Sequence, residues 1–313
     1  MTLSVISHPI CRLHNMGEFH PETPLRLEAI ESHIASASFA DSLIRLEAQP
    51  IDPEYLSLAH QPEYIQYILD NAPQSGEFRL DPDTSMNSHT LEAALLAAGA
   101  GVQGVDSIMQ KQTEKVFCAV RPPGHHAEKH RAMGFCFFDN IAIAAAYALK
   151  RYQLNRVAIV DFDVHHGNGT ENIMTFNEQV LFCSTFQHPF YPFSGAEPTP
   201  AHIINTPLPA GSGSDEFRAA ITNDWLPALN KFQPEMIFIS AGFDAHREDT
   251  MAQMNLEDDD YYWVTQQINT IAERHCEGRI LSMLEGGYAL EALGRSVVEH
   301  LRAMISDIGS YSS

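Results

Sequence analysis

Positive charge is scarce in this 313-residue chain. Lys and Arg number 19 against 40 Asp and Glu, a formal net charge of −21. Such an acidic surface repels a phosphate backbone, which argues against nucleic acid binding through a general basic face. It attracts cations instead, lysine-rich peptides or polyamines among them, unless the charge serves only solubility. Cysteine is sparse as well: five residues, an odd number, scattered, with no C-x-x-C pair. That pattern excludes a disulfide framework and predicts reduced core thiols in a cytoplasmic protein; Cys118, Cys136 and Cys183 already sit in apolar runs. No apolar run approaches the ~20 residues of a membrane span. The opening "MTLSVISHPICRLHNMGEFH" lacks the basic-then-apolar order of a secretory signal. Repeats, low-complexity tracts and obvious linkers are missing too, so the chain reads as one domain over residues 1–313. With 44% hydrophobic residues it has ample material for a core.

What is there alternates. Strand-like runs "KVFCAV" (115–120), "RVAIVD" (156–161), "QVLFCST" (179–185), "EMIFISA" (235–241) and "RILSMLE" (279–285) take turns with helical patterns at 140–152, 214–232 and 258–275. Strands alternating with helices predict an α/β fold, a mainly parallel sheet covered by helices on both faces. The first hundred residues look helical and loop-rich, with 90–109 the firmest helix.

Four of these strands run into unusual segments: "RPPGHHAE", "DFDVHHGNGT", "AGFDAHRED" and "EGGYAL". Ligands of open parallel sheets bind at the carboxyl ends of strands, so the four should meet at one rim. Asp163 and His165 are spaced i, i+2 and point the same way from an extended segment. With Asp244 they make two carboxylates and one imidazole, the three-ligand pattern of a catalytic zinc site with a position left for water. The same donors accept Fe(II) or Co(II). For "DFDVHH" alone, a hydrogen-bonded cluster without metal competes; Asp244 and the other strand ends weigh against it. His125 and His126 offer a proton acceptor, with Asp161 and Asn168 available to fix their tautomers. Tyr288, after Gly286-Gly287, could donate to a developing oxyanion; those glycines let the loop pass close to a ligand. "GFCFFDN" (from Gly134) and "FQHPFYPFSG" could wall an entrance, with Phe135 and Tyr191 assigned to a tunnel. His166 is given only a loop-holding role.

"RPPGHHA", "GFCFFDN", "DFDVHHGNGT", "SAGFDAH" and "EGGY" resemble, in order and approximate spacing, the signature of the histone deacetylase superfamily, including its bacterial acetoin-utilisation-like and acetylpolyamine amidohydrolase members. The likeness runs from about Pro21 to Leu301. It implies an arginase-like α/β fold and zinc-dependent hydrolysis of an N-acetylated primary amine, acetyl-lysine foremost. It implies Asp163, His165 and Asp244 as zinc ligands, His126 as general base with His125 as electrostatic partner, and Tyr288 as the residue that polarises the acyl carbonyl. Asp161 and Asn168 match the partners of the two histidines. A structural potassium site is implied at Asp161 and Ser184 with main-chain oxygens of Asp163 and His165. Asp83 matches a rim aspartate that holds substrate backbone, and the His20-Pro21-Glu22 turn resembles a feature near the entrance.

Departures within the family carry information. Asn168 stands where one branch has aspartate, which points to the class II-like branch. Tyr288 is kept where a weakly acetyl-lysine-active subgroup has histidine. Polyamine-selective relatives carry a glutamate seven residues past the third ligand, and here that position is Met251, which cannot recognise a second ammonium by charge. Acetylpolyamines remain the alternative substrate, and a silent acyl-lysine-binding module is the alternative from another class. A manganese ureohydrolase would need further acidic ligands, which are not evident.

Overall fold

The computed structural model describes residues 2–306. Among them run the strands β1 (Leu3–Ser7), β2 (Ile44–Glu47), β3 (Phe78–Arg79), β4 (Ser85–Met86), β5 (Lys115–Cys118), β6 (Val157–Asp161), β7 (Val180–Gln187), β8 (Ile203–Leu208), β9 (Ile237–Ala241) and β10 (Ile280–Leu284). β3 and β4 form a small antiparallel pair. The other eight make one sheet in the order β2-β1-β5-β10-β9-β6-β7-β8, and every neighbouring pair is parallel. A parallel sheet covered on both faces needs strands that are apolar throughout. β5, β6, β9 and β10 meet that demand: each is buried at every position.

Two groups of helices supply the cover. Leu25–Ser36, Asp258–His275 and Leu290–Ile305 pack together, and Thr90–Met109 packs with Asn140–Tyr152. Close approach in the second group depends on small residues. A Cβ at Gly104 would fall 2.5 Å from Leu281 of β10.

Beyond the short β3–β4 pair, three strands of the main sheet depart from the sequence expectation. β1 and β2 come from the first hundred residues, read above as helix and loop, and β8 lies where a polar loop is expected. β2 is largely exposed at the sheet edge, so its "IRLE" lacks an apolar run. β8 occupies the opposite edge and carries Pro207, which only an edge strand tolerates well. The helix expected over 214–232 is continuous but contains a π turn at Ile221–Trp225. Pro227, two residues further on, cannot donate to an α ladder, and a local widening relieves that misfit.

The decisive feature is the middle of the sheet. β5, β10, β9 and β6 are consecutive there, and they are the four strands that precede the motif segments. Because all run the same way, their C-terminal ends lie side by side on one rim.

Candidate metal centre and active site

The loop after β6 brings Asp163 and His165 together, and the loop after β9 adds Asp244. Their ligand atoms all lie within 4.8 Å of one another, and all three residues are buried. His165 Nδ1 stands 2.9 Å from Asp163 Oδ1 and 3.2 Å from Asp244 Oδ2. Backbone N–H groups fix the outer oxygens: Gly286 donates to Asp163 Oδ2 (2.8 Å) and Val164 to Asp244 Oδ1 (2.9 Å). Asp244 Oδ2 is buried without a hydrogen-bond partner. Only glycine fits beside this cage, since a Cβ at Gly242 would lie 2.1 Å from Asp163 Oδ2 and one at Gly286 2.0 Å from Asp244 Oδ2.

The electrostatics call for a cation. Burial disfavours a charged imidazole, yet the Asp163 and Asp244 carboxylates outweigh it and hold His165 up at about 10. Burial and the neighbouring Asp163 charge push Asp244 up to about 6. Two buried carboxylates that draw a proton onto the imidazole between them lack positive charge, and a divalent ion supplies it. The residues therefore fit the metal that their spacing implies.

His125 and His126 follow β5. Their rings lie 4.1 Å apart, and each has a different partner: His125 Nδ1 faces Asp161 Oδ2 (2.9 Å), and His126 Nδ1 faces Asn168 Oδ1 (2.7 Å). This partition sends their pKa values in opposite directions. Burial opposes charge on both. For His125 the Asp161 and Asp163 carboxylates prevail and raise it well above the ordinary value. For His126 burial and the positive charges of His125 and His165 lower it well below. His126 is thus held neutral with a free ring nitrogen, while His125 carries charge beside it. Asn168 also donates from Nδ2 to Glu128 Oε1 at 2.9 Å. An aspartate at 168 would meet Glu128 with like charge, a local reason for the amide.

Tyr288 ends the Gly286-Gly287 turn, where Gly287 adopts φ +124°. Asp249 Oδ2 accepts from the backbone N–H groups of Tyr288 (2.6 Å) and Ala289 (3.0 Å). Arg26 lies 5.0 Å over the Tyr288 ring and donates to the carbonyls of Gly287 and Glu285. Burial holds the Tyr288 hydroxyl protonated, well above its usual range, so it is available as a donor.

A cavity of about 230 Å³ opens between these groups, lined by Asp83, Pro123, His125, His126, Gly134, Phe135, His165, Phe190, Tyr191, Met251, Gly286 and Tyr288. Phe190 stacks on His165 (5.4 Å between ring centres), and Tyr191 meets His126 edge-on (5.3 Å). Gly134 and Phe135 form the tight turn within the Met133–Cys136 bridge with φ +56° and +68°. That left-handed pair is costly for a phenylalanine, and it sets the ring against Tyr288 at 6.0 Å. Asp83 is half-buried at the rim, and its carbonyl pairs with His20 Nε2 (3.1 Å). His166 lies outside the cavity between Ser194 (2.8 Å) and Glu171 (2.9 Å), pinning the aromatic loop to the loop of the ligands.

Not every sequence candidate touches the cavity. Of the three candidate ligands only His165 lines it; Asp161 and Asn168 lie behind the histidines, and Gly287 turns its carbonyl to Arg26. Ser184 pairs in register with Asp161 and keeps a buried hydroxyl without a partner. Conversely, Pro123 and Phe190 line the space without having been singled out, and neither Asp249 nor Glu285 stood out. The fully buried cluster of Glu22, Arg26 and Arg121, in which Glu22 pairs with both arginines, was not read as a cluster, although the His20-Pro21-Glu22 turn and the "RPPGHHAE" segment that Arg121 opens were both noted.

A parallel sheet thus gathers two carboxylates, an imidazole, a histidine pair and a tyrosine at one rim, as expected of a hydrolase of the deacetylase class. The histone deacetylase domain matches residues 20–304, and the chain belongs to that family. It is 39% identical over 299 residues to an uncharacterized protein of Synechocystis sp., covering 93% of this chain and 96% of that one. It is 33% identical over 299 residues to a histone deacetylase-like amidohydrolase of Pseudomonas aeruginosa, covering 92% and 78%. The crystal structure of the HDA15 HD domain superposes with a TM-score of 0.91 at 33% identity, over 97% of this chain and 88% of that one. The arginase-like fold is thereby established.

Proposed function

We propose that this protein is a zinc-dependent deacetylase of N-acetylated primary amines, with acetyl-lysine side chains as the leading substrate. The observation that carries this reading is the convergence of the Asp163–His165–Asp244 cage, the differently partnered histidine pair and Tyr288 on one narrow cavity. A confined cavity lined by Phe135, Phe190, Tyr191 and Tyr288 supports a slender aliphatic side chain as the substrate, such as that of acetyl-lysine. The aromatic walls suit its methylenes.

Asp163, His165 and Asp244 would hold the metal, which would supply Lewis acidity when bound; Fe(II) suits the same donors. His126, neutral and oriented by Asn168, takes the proton from the attacking water. His125, charged against Asp161, stabilises negative charge as it develops. The Tyr288 hydroxyl donates to the acyl oxygen as it becomes an oxyanion. The protonated His126 then gives its proton to the leaving amine, and acetate and free amine depart. Asp83 would hold substrate backbone at the rim. Asp161 and the unpartnered hydroxyl of Ser184 support a structural potassium ion behind the ligand loop. Five buried free cysteines suit a reducing compartment such as the cytoplasm. No described helix is long and apolar enough to cross a membrane. One domain accounts for the whole chain.

The test is acetate release from an acetyl-lysine peptide by purified protein, by metal-stripped protein, and after zinc is restored. Zinc-restorable turnover is expected. Protein that holds one metal per chain but turns over only acetylputrescine would move the assignment to polyamines. Turnover of neither substrate would overturn it.

A further inference from the structure

Glu285 is fully buried at the end of β10, directly before the Gly286-Gly287-Tyr288 turn. Burying a carboxylate is costly, and no lysine or arginine among the described residues is seen to pair with this one. Its oxygens are spent on other segments. Oε2 accepts from the backbone N–H groups of Gly124 (2.7 Å) and His125 (3.2 Å), and Oε1 accepts from Ser240 Oγ of β9 (3.2 Å). Its backbone is engaged as well: its N–H donates to the Ala241 carbonyl (3.0 Å), and its carbonyl accepts from Arg26. The His125 peptide is thereby gripped from both sides, because its carbonyl accepts from Gly169 (3.0 Å) and Thr170 (3.2 Å) beyond the ligand loop. His126 follows one residue after this clamp. On the other arm, Gly286 donates to Asp163 and Tyr288 stands three residues past the carboxylate.

We propose that Glu285 is a positioning residue that sets the separation between the proton acceptor His126 and the oxyanion donor Tyr288. One side chain joins the loop of the first to the strand that delivers the second. This inference rests on the deacetylase reading for its kinetic consequence but not for its structural one. Reactive geometry must hold within about 0.5 Å, and a misplacement of about 1 Å costs on the order of 100-fold in rate. A glutamine can preserve the clamp: its oxygen takes both N–H groups, and its amide donates to Ser240. A methionine of similar length offers no acceptor and strands both N–H groups.

The experiment compares Glu285→Gln, Glu285→Met and Glu285→Asp in zinc-loaded protein. Steady-state kinetics on an acetyl-lysine peptide are read beside amide hydrogen exchange at Gly124 and His125. The methionine variant is expected to lose about 100-fold in kcat with KM within about threefold of wild type. Its Gly124 and His125 amides should exchange at least about tenfold faster, while the β6 and β9 amides keep their protection. The glutamine variant should recover kcat to within about tenfold and restore both amides. The aspartate variant keeps the charge but shortens the reach, and should lose at least about tenfold in kcat. If the methionine variant does not fold, the aspartate and glutamine variants decide. Wild-type kcat in the aspartate or methionine variant overturns the proposal, as does a glutamine variant as impaired as methionine. Wild-type protein that releases no acetate sinks the deacetylase reading alone, and the exchange rates still decide whether Glu285 clamps the loop.

Discussion

Gly286→Ala tests the metal cage most directly. A Cβ on Gly286 would lie 2.0 Å from Asp244 Oδ2 and 2.6 Å from Asp163 Oδ2, whereas real contacts of this kind stay above 3.0 Å. Asp244 Oδ2 must therefore retreat by at least 3.0 − 2.0 = 1.0 Å. It cannot swing freely, because Oδ1 of the same carboxylate is tied to the Val164 N–H at 2.9 Å. A metal–ligand distance tolerates only about 0.2 Å. The displacement is about five times that tolerance at one ligand of three. Changes that merely loosen a ligand's orientation cost about 10- to 100-fold in metal affinity, so moving the ligand itself should cost at least about 100-fold. That is about 2.7 kcal/mol. Overpacking adds about 1–3 kcal/mol of destabilisation in the metal-free protein. Zinc affinity by competition with a chromophoric chelator, metal content by mass spectrometry, and urea unfolding of the apo form give the three readings. Gly213→Ala, whose added Cβ would meet nothing closer than 3.6 Å, serves as the control and should match wild type in zinc affinity and metal content. A folded Gly286→Ala protein with wild-type zinc affinity would refute the cage.

Three further outcomes are expected. Tyr288→Phe should retain one metal per chain and lose about 100- to 1,000-fold in kcat, the range for one oxyanion donor; near-normal turnover removes Tyr288 from the chemistry. Asn168→Asp should lower the urea-derived stability by about 1–3 kcal/mol, because the bond to Glu128 Oε1 becomes a contact between like charges; unchanged stability would show that Glu128 does not select the amide. Stability should also fall on acidification because His300 and His60 are buried neutral, lowered by burial to about 3 and about 4. The unfolded chain takes up their protons first, so their contribution is complete above about pH 6.5 and is lost below it. The loss is about 1.4 kcal/mol per pH unit for each histidine, or about 5 kcal/mol for both between pH 6.5 and 4.5. His300→Gln should remove about 1.4 kcal/mol per pH unit from the slope of urea-derived stability between pH 6.5 and 4.5, and an unaltered slope would contradict the assignment.

Strand ends were the most legible part of the sequence. β6 and β9 open on the apolar runs Val157–Val160 and Ile237–Ile239, so the appearance of Asp163, His165 and Asp244 behind them stands out. The i, i+2 spacing and the adjacency of the two histidines carried enough local geometry to suggest their partners. β2 and β8 escaped because edge strands need only one covered side, and β1 because five residues near the start carry little pattern. Glu22, Arg121 and Glu285 escaped for a different reason. A charge reads as surface until the fold shows it at zero exposure, and decisive partners lie far off in the chain: Arg121 is 99 residues from Glu22, and Gly124 is 161 from Glu285. Asp249 looked like one more acid in "HRED", yet it anchors the turn that carries Tyr288.

The position of β10 has a consequence for how the protein is made. This strand, the last of the ten in chain order among the described residues, inserts between β5 and β9 in the middle of the sheet. While residues 280–284 are still inside the ribosome, the nascent chain holds two half-sheets, β2-β1-β5 and β9-β6-β7-β8, with exposed inner edges where the centre belongs. The histidine pair then sits on one half and the metal ligands on the other. β10 must follow both halves out of the ribosome before the two can close, so the histidine pair and the three buried candidate ligands come together only at that step. A polypeptide that stalls before residue 280 is left with open strand edges, a substrate for chaperones and proteases rather than a weak enzyme.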